Sequence, residues 1–278
     1  MNEMTTGEQT MAQTGFTNIN GAQLYYEVTG SGHPLVMVHA GIADCRMWDD
    51  QFEIFAERYR VIRYDMRGYG RSVPVAGSFS HHADLYALLK FLDVEHAYVM
   101  GCSMGGRVCI NMALQQPEMV TALIPIGSGV AGFTFAAPPP RQRDALEAAL
   151  KQGDLERASE LEVQIWVDGA SRTPDQVNAR VRERVREMNL AALKNEALEL
   201  GDEQPLNPPA IQRLGELRMP TLIMVGELDM PRILAASDAL AAQIAGAKKS
   251  IISGAAHVPN MERPAEFNRI VLDFLSKI

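Results

Sequence analysis

Cysteine is scarce in this chain, with three among 278 residues. Three cannot build a disulfide framework, and the odd count fits a reducing compartment. Basic charge is not in excess: 26 Lys and Arg face 34 Asp and Glu, for a formal charge of −8. That balance argues against nucleic acid or an anionic membrane surface as a partner. Long apolar runs are missing too. Stretches such as Pro34–Val38 and Thr221–Val225 are strand-length, far short of the ~20 residues of a membrane span. Met1–Gly15 carries neither a basic start nor an apolar segment, so no export signal is read there and a cytoplasmic location is expected. No Cys/His group has zinc spacing and no acidic run reads as a calcium loop, so no metal and no cofactor are expected.

What is present is a composition of 47% apolar and 22% charged residues, ordinary for a folded chain long enough to bury a sizeable core. Ala22–Thr29 alternates as a half-buried strand does. Leu35–Val38, Val61–Tyr64, Ala97–Met100, Leu123–Ile126, Leu222–Val225 and Ser250–Ile252 read as fully buried strands. Helical patterns lie between them: Leu85, Leu88, Leu89 and Leu92 recur at helical spacing, as do Phe267, Ile270, Val271 and Phe274. Alternating strand and helix predicts an α/β fold, a mostly parallel sheet with helices on both faces. The alternation stops between about Gly127 and Pro209, where the Pro138-Pro139-Pro140 run precedes three helical patterns. The first ends at Gly153, the second is capped by Asp154 and runs to about Val167, and the third opens at Thr173-Pro174. This is read as an all-helical insertion.

Chemistry concentrates in Gly101-Cys102-Ser103-Met104-Gly105-Gly106, between the strand ending near Met100 and the helical stretch Arg107–Gln115. G-x-S-x-G between strand and helix lifts a serine hydroxyl above the sheet edge and aims a helix N-terminus at it. A serine hydroxyl needs a base, itself oriented by an acid. Of six histidines, His257 follows the last strand, where loops at strand carboxyl ends converge. His81 and His82 read as the exposed start of a helix, His96 sits at the wrong end of the sheet, His33 lies in a turn, and His39 is taken as structural. Gly226-Glu227-Leu228-Asp229 offers two carboxylates; Asp229 is preferred, with Glu227 as the alternate. The backbone N–H groups of Met104 and Gly41 are the expected oxyanion donors. Phe133, Trp166 and Met188 are candidates to line the substrate pocket. Arg180, Arg182, Arg184 and Arg186 read as a solvated helix face paired with Glu183 and Glu187. Cys45, Cys102 and Cys109 read as packing residues.

Four blocks together resemble the α/β-hydrolase superfamily: His39-Ala40-Gly41, Asp65–Ser72 (D-x-R-G-x-G-x-S), Gly101–Gly106 and Gly254–Pro264. The resemblance covers the chain from about Phe16 onward. Arg46-Met47-Trp48 and Ser103–Gly106 are similar to the carboxylesterase and 3-oxoadipate enol-lactonase-like branch. Ala40 replaces the commoner glycine, the serine does not fit the dehalogenase branch, and the His39 loop lacks the longer glycine run of many carbon–carbon bond hydrolases. The resemblance implies an eight-stranded, mostly parallel sheet with a helical cap after strand 6. The expected organisation is a flexible tail at 1–15, a core at 16–127 and 210–278, and a cap at 128–209. The expected activity is hydrolysis of a small carboxylic ester or lactone through an acyl-enzyme on Ser103, His257 and Asp229. A carbon–carbon bond hydrolase or perhydrolase on the same triad, or a non-catalytic ligand-binding relative, are the alternatives. The only partner expected is the small-molecule substrate, with a homo-oligomer compatible.

Overall fold

The computed structural model describes residues 12–278. Eight strands form one sheet: β1 (Gln13–Ile19), β2 (Ala22–Thr29), β3 (Pro34–Val38), β4 (Arg60–Tyr64), β5 (Ala97–Cys102), β6 (Val120–Ile126), β7 (Leu222–Gly226) and β8 (Lys248–Ile252). Their order is β1-β2-β4-β3-β5-β6-β7-β8. β2 runs antiparallel to both neighbours, and every pairing from β4 across to β8 is parallel.

The strand at the chain's start corrects the expected tail. Gln13, Thr14 and Gly15 pair with Val28, Glu27 and Tyr26, so the core begins at 13, and residues 1–11 of that tail lie outside the described residues. Asn20 and Gly21 both have positive φ, 47° and 81°, which suits the two-residue hairpin turn joining β1 to β2. A second correction concerns β8. It is an edge strand with Ile251 53% exposed, not a fully buried one.

Alternate residues of β3 face opposite sides of the sheet, as the two-residue period of a strand requires. Val36 and Val38 join a cluster with Leu85, Leu88 and Leu89 of α2 (His81–Phe91) and Val108 of α3 (Met104–Gln115). Leu35 and Met37 join another with Phe52 and Phe55 of the helix Asp49–Ala56 (α1) and Phe267, Val271 and Phe274 of the last helix, Pro264–Leu275. Both helical repeats seen in the sequence therefore bury their apolar stripe against the sheet.

Between β6 and β7 the chain forms α4 (Arg143–Gln152), α5 (Leu155–Val163), a π-helical turn at Gln164–Asp168, and α6 (Ala179–Glu196). Gly153, at φ 70°, ends α4, and Asp154 Oδ1 accepts from the Arg157 N–H at 3.1 Å. Thr173-Pro174 opens only a 3-10 turn, Pro174–Gln176; α6 starts five residues later, where Asn178 Oδ1 accepts from the Arg180 N–H at 2.9 Å. The insertion is not wholly helical. Asp202–Glu203 pairs in parallel with Ser78–Phe79, tying its end to the segment before α2. Helix α7 (Pro231–Gln243), the short α8 (Pro259–Glu262) and α9 (Pro264–Leu275) follow β7 and β8.

Candidate active site

Ser103 occupies the single residue between β5 and α3, with φ 55° and ψ −112°. A non-glycine residue there stores about 1–3 kcal/mol of backbone strain, and such strain persists only where the surroundings impose it. Here the Ser103 N–H donates to the Ile126 carbonyl at 2.7 Å, and the Ser103 carbonyl accepts from the Arg107 N–H at 3.1 Å. The flanking glycines are steric necessities. A Cβ on Gly101 would collide with the Gly105 backbone, and one on Gly105 with the carbonyls of Val38 and His39.

Asp229 lies just past β7 and His257 in the loop after β8. Nδ1 of His257 is 2.9 Å from Oδ2 and 3.0 Å from Oδ1 of Asp229. Asp229 Oδ1 also accepts from the Met230 N–H at 2.7 Å. Glu227 does something else: it accepts from Ser253 Oγ at 2.7 Å and the Gly254 N–H at 2.9 Å, at the surface. The geometry thus separates the two carboxylates that the sequence left as preferred and alternate. Gly127, at φ 50°, passes closely beneath the pair; a Cβ there would lie 3.1 Å from Asp229 Oδ2 and 3.3 Å from His257 Nδ1.

The loop after β3 meets α3 at Met104. A Cβ on Gly41 would lie 3.6 Å from Met104 Sδ, an ordinary contact, so the residues that carry the two expected oxyanion donors are neighbours. His39 braces this loop: its Nδ1 is 2.8 Å from the Ala40 carbonyl, and its Nε2 accepts from the Met66 N–H at 2.9 Å. Full burial lowers its pKa below the usual histidine value. A ring with both nitrogens engaged holds backbone; the structural role read from the sequence fits these contacts.

The insertion reaches the site through its π-helical turn, an irregularity common at functional positions. The Trp166 ring lies 4.5 Å from that of His257, tilted by 35°, and the Trp166 carbonyl accepts from the His257 N–H at 3.2 Å. Trp166 and Phe133 line one cavity of about 550 Å³, together with Phe135, Pro139, Met230 and Ile233. Arg232 stands on the same wall with no carboxylate partner among the described residues. Met188 is buried at 2% exposure among Val163, Val181 and Val185 and does not line this cavity.

Several relationships lay outside the sequence reading. Arg172 Nη1 donates to Glu262 Oε2 at 2.7 Å and to the Gly254 carbonyl at 3.1 Å, while Nη2 donates to the Val167 carbonyl. Glu262 Oε1 in turn accepts from the Ala256 N–H at 2.7 Å. One guanidinium therefore joins the Trp166 turn to the His257 loop. Burial raises the Glu262 pKa, opposed by Arg172 and the Ala256 N–H. Cys102 Sγ donates to the His257 carbonyl at 3.4 Å. All three thiols are buried and burial pushes each pKa up, which keeps them protonated and unreactive.

His81 departs from its expected exposure. It is 4% exposed, and burial pushes its pKa down to about 4. Arg182, Arg184 and Arg186 of α6 are ion-paired, but mostly across elements. Arg182 holds Glu160 and Asp168, each at 2.7 Å, and Arg184 holds Asp49 and Asp50 of α1; only Arg186–Glu183 is a pair within the helix. The buried donors Asp44, Cys45 and Asp65 converge, yet Asp44 is held by Arg46 and Asp65 accepts from the Cys45 and Arg71 N–H groups.

Comparison with known proteins adds a family and relatives. The family described as alpha/beta hydrolase fold matches residues 33–264. A 2-hydroxy-6-oxononadienedioate/2-hydroxy-6-oxononatrienedioate hydrolase of Cupriavidus pinatubonensis is 30% identical over 261 residues, covering 89% of this chain and 88% of that protein. The solved enol-lactonase of Burkholderia xenovorans LB400 superposes with TM-score 0.75 at 22% identity, over 94% of this chain and 100% of that one. Another solved structure, Est816, titled as an N-acyl homoserine lactone degrading enzyme, gives TM-score 0.73 at 25% identity, over 94% and 100%.

Proposed function

This chain belongs to the alpha/beta hydrolase fold family, and from that membership we propose that it cleaves a carboxylic ester or lactone through an acyl-enzyme on Ser103. His257 takes the hydroxyl proton as Ser103 Oγ attacks the carbonyl carbon, then returns it to the leaving oxygen. Asp229 fixes the tautomer with the proton on Nδ1 and stabilises the imidazolium. The N–H groups of Met104 and Gly41 receive the oxyanion. Water, activated by the same histidine, then releases the acid.

The observation that carries this reading is the buried His257–Asp229 contact at 2.9 Å, on loops beside a serine held in a left-handed conformation between strand and helix. The cavity beside Trp166, walled by aromatic rings and prolines, supports a substrate with a sizeable apolar part. Its volume of about 550 Å³ is in the range of small-molecule sites.

A second reading is carbon–carbon bond hydrolysis on the same triad. The relatives' names support it more than they support the first: the protein from Cupriavidus pinatubonensis is named for a dienedioate substrate. Arg232 on the cavity wall, without a carboxylate partner among the described residues, would suit a substrate carboxylate. The two readings part on rates. Ester hydrolysis predicts that p-nitrophenyl butyrate or a γ-lactone is turned over faster than a 2-hydroxy-6-oxo-dienoic acid. The reverse order overturns the first reading in favour of the second, and no turnover of any of these returns the chain to a binding role.

A further inference from the structure

Beside Met104 lies a separate cavity of about 200 Å³, whose walls share no residue with the cavity that Trp166 lines. Its walls include Tyr69, His81, Met104, Asn195, Glu196 and Glu203. The volume is too small for a whole substrate but suits one end of it. Met104 is the partition, because the side chain that lines this cavity also packs at the position of a Gly41 Cβ. The oxyanion site and the cavity thus share one flexible thioether wall.

The lining has a chemical bias. Its cations are spent: Arg67 binds Asp84 at 3.0 Å and the Asn20 carbonyl at 3.0 Å, and the nearby Arg107 binds Glu203 at 2.9 and 3.0 Å. Glu203 is spent with Arg107, but two other acceptors are not. Asn195 uses Nδ2 on the Gly68 carbonyl, leaving Oδ1, and Glu196 has no ion-pair partner among the described residues. His81 Nδ1 is buried without a hydrogen-bond partner. Sealed in this way it is not offered to a ligand in the cavity; Asn195 Oδ1 is the accessible acceptor without a partner among the described residues. The low His81 pKa keeps that ring neutral at pH 7, so it adds no positive charge to the cavity.

We infer that this cavity is a subsite for the acyl end of the substrate, selecting a hydroxyl or ammonium donor and rejecting a carboxylate. The acyl assignment follows from position. The leaving oxygen must reach His257, which stacks on Trp166, so the leaving group takes that side and the acyl chain extends past Met104. The inference rests on the proposed attack of Ser103 on a carbonyl.

Ethyl butyrate, ethyl 3-hydroxybutyrate, ethyl 3-aminobutyrate and monoethyl succinate, followed by pH-stat with the full chain, test it. Each hydrogen bond to a charged or buried acceptor is worth roughly tenfold in affinity or more. The hydroxy and amino esters are therefore expected to show KM about tenfold below ethyl butyrate, with monoethyl succinate above it. Glu196→Gln should erase the amino-ester advantage, and Asn195→Leu should erase the hydroxy-ester advantage. Binding of the same four esters to Ser103→Ala protein by calorimetry reads the subsite without turnover. The expected ranking there, with no hydrolysis by the unaltered chain, keeps the subsite and removes the ester reading. A flat ranking, or monoethyl succinate binding tightest, overturns the subsite whatever the activity.

Discussion

Nδ1 of His257 stands 2.9 Å from Oδ2 of Asp229, and the two side chains are 2% and 0% exposed. A carboxylate placed this way fixes which imidazole nitrogen faces the reacting serine and stabilises the charge that develops during proton transfer. Asp229→Asn keeps the shape and removes the charge. It is expected to lower kcat by about 10⁴-fold with little change in KM. Glu227→Gln, at the surface, should stay within about twofold. Steady-state rates of the two variants on one ester check both halves, and a comparable loss in the two would contradict the assignment.

Trp166 contributes packing against the base rather than chemistry. An aromatic pair of this kind is worth about 1 kcal/mol, so Trp166→Ala should lose roughly fivefold in kcat/KM. Removing the ring also opens the cavity it shares with Phe133, and bulkier leaving groups should gain relative to small ones. A p-nitrophenyl versus ethyl ester comparison measures that shift.

The elbow predicts a stability cost that is independent of activity. Gly105→Ala has nowhere to put its methyl group, since the Val38 and His39 carbonyls fill the space. Overpacking of this type costs about 1–3 kcal/mol. Urea unfolding of the variant should show the loss, and an unchanged midpoint would contradict the close strand–helix contact.

Arg172 and Glu262 are 12% and 6% exposed at the side chain, so removing the guanidinium leaves a carboxylate buried without its partner. Arg172→Ala is expected to destabilise by about 3–5 kcal/mol. Arg172→Ala with Glu262→Gln should recover part of that. Because the same arginine joins the Trp166 turn to the His257 loop, the single variant should also lower kcat more than it raises KM.

His81 sets a pH dependence of stability. Burial holds its folded pKa at about 4, below the ordinary 6.5. Between those values the unfolded chain binds a proton that the folded chain does not. Stability is therefore complete above pH 6.5 and falls as pH drops toward 4, by about 2 kcal/mol at pH 5. His81→Phe should narrow the difference between unfolding free energies at pH 7 and pH 5 by that amount. An undiminished difference would place the pH dependence on other groups.

Most of the candidate site was legible in the sequence because its signals are local. Glycines at 101 and 105 are required by one tight turn, and Ser103, Asp229 and His257 each follow a strand that periodicity reveals. The misreadings share a different cause. Nothing near His81 records that Glu196 and Glu203, more than a hundred residues away, share a cavity wall with it. Met188 has the residue type of a pocket wall, yet its place on α6 turns it toward Val163 and Val185. Thr173-Pro174 is a sound helix start, but a 3-10 turn uses it and Asn178 starts the helix instead. The Asn20-Gly21 hairpin signal was there to be read. It pairs the polar residues 13–15 into the sheet, and their polarity alone suggested a tail.

The central claim is that Ser103 is the nucleophile of a triad with His257 and Asp229. Incubating the folded chain with a fluorophosphonate and mapping the adduct by peptide mass spectrometry tests it directly. The expected result is one adduct, on the peptide containing Ser103, abolished by Ser103→Ala and strongly slowed by His257→Ala. No adduct on the folded chain, or an adduct on another residue, would contradict it.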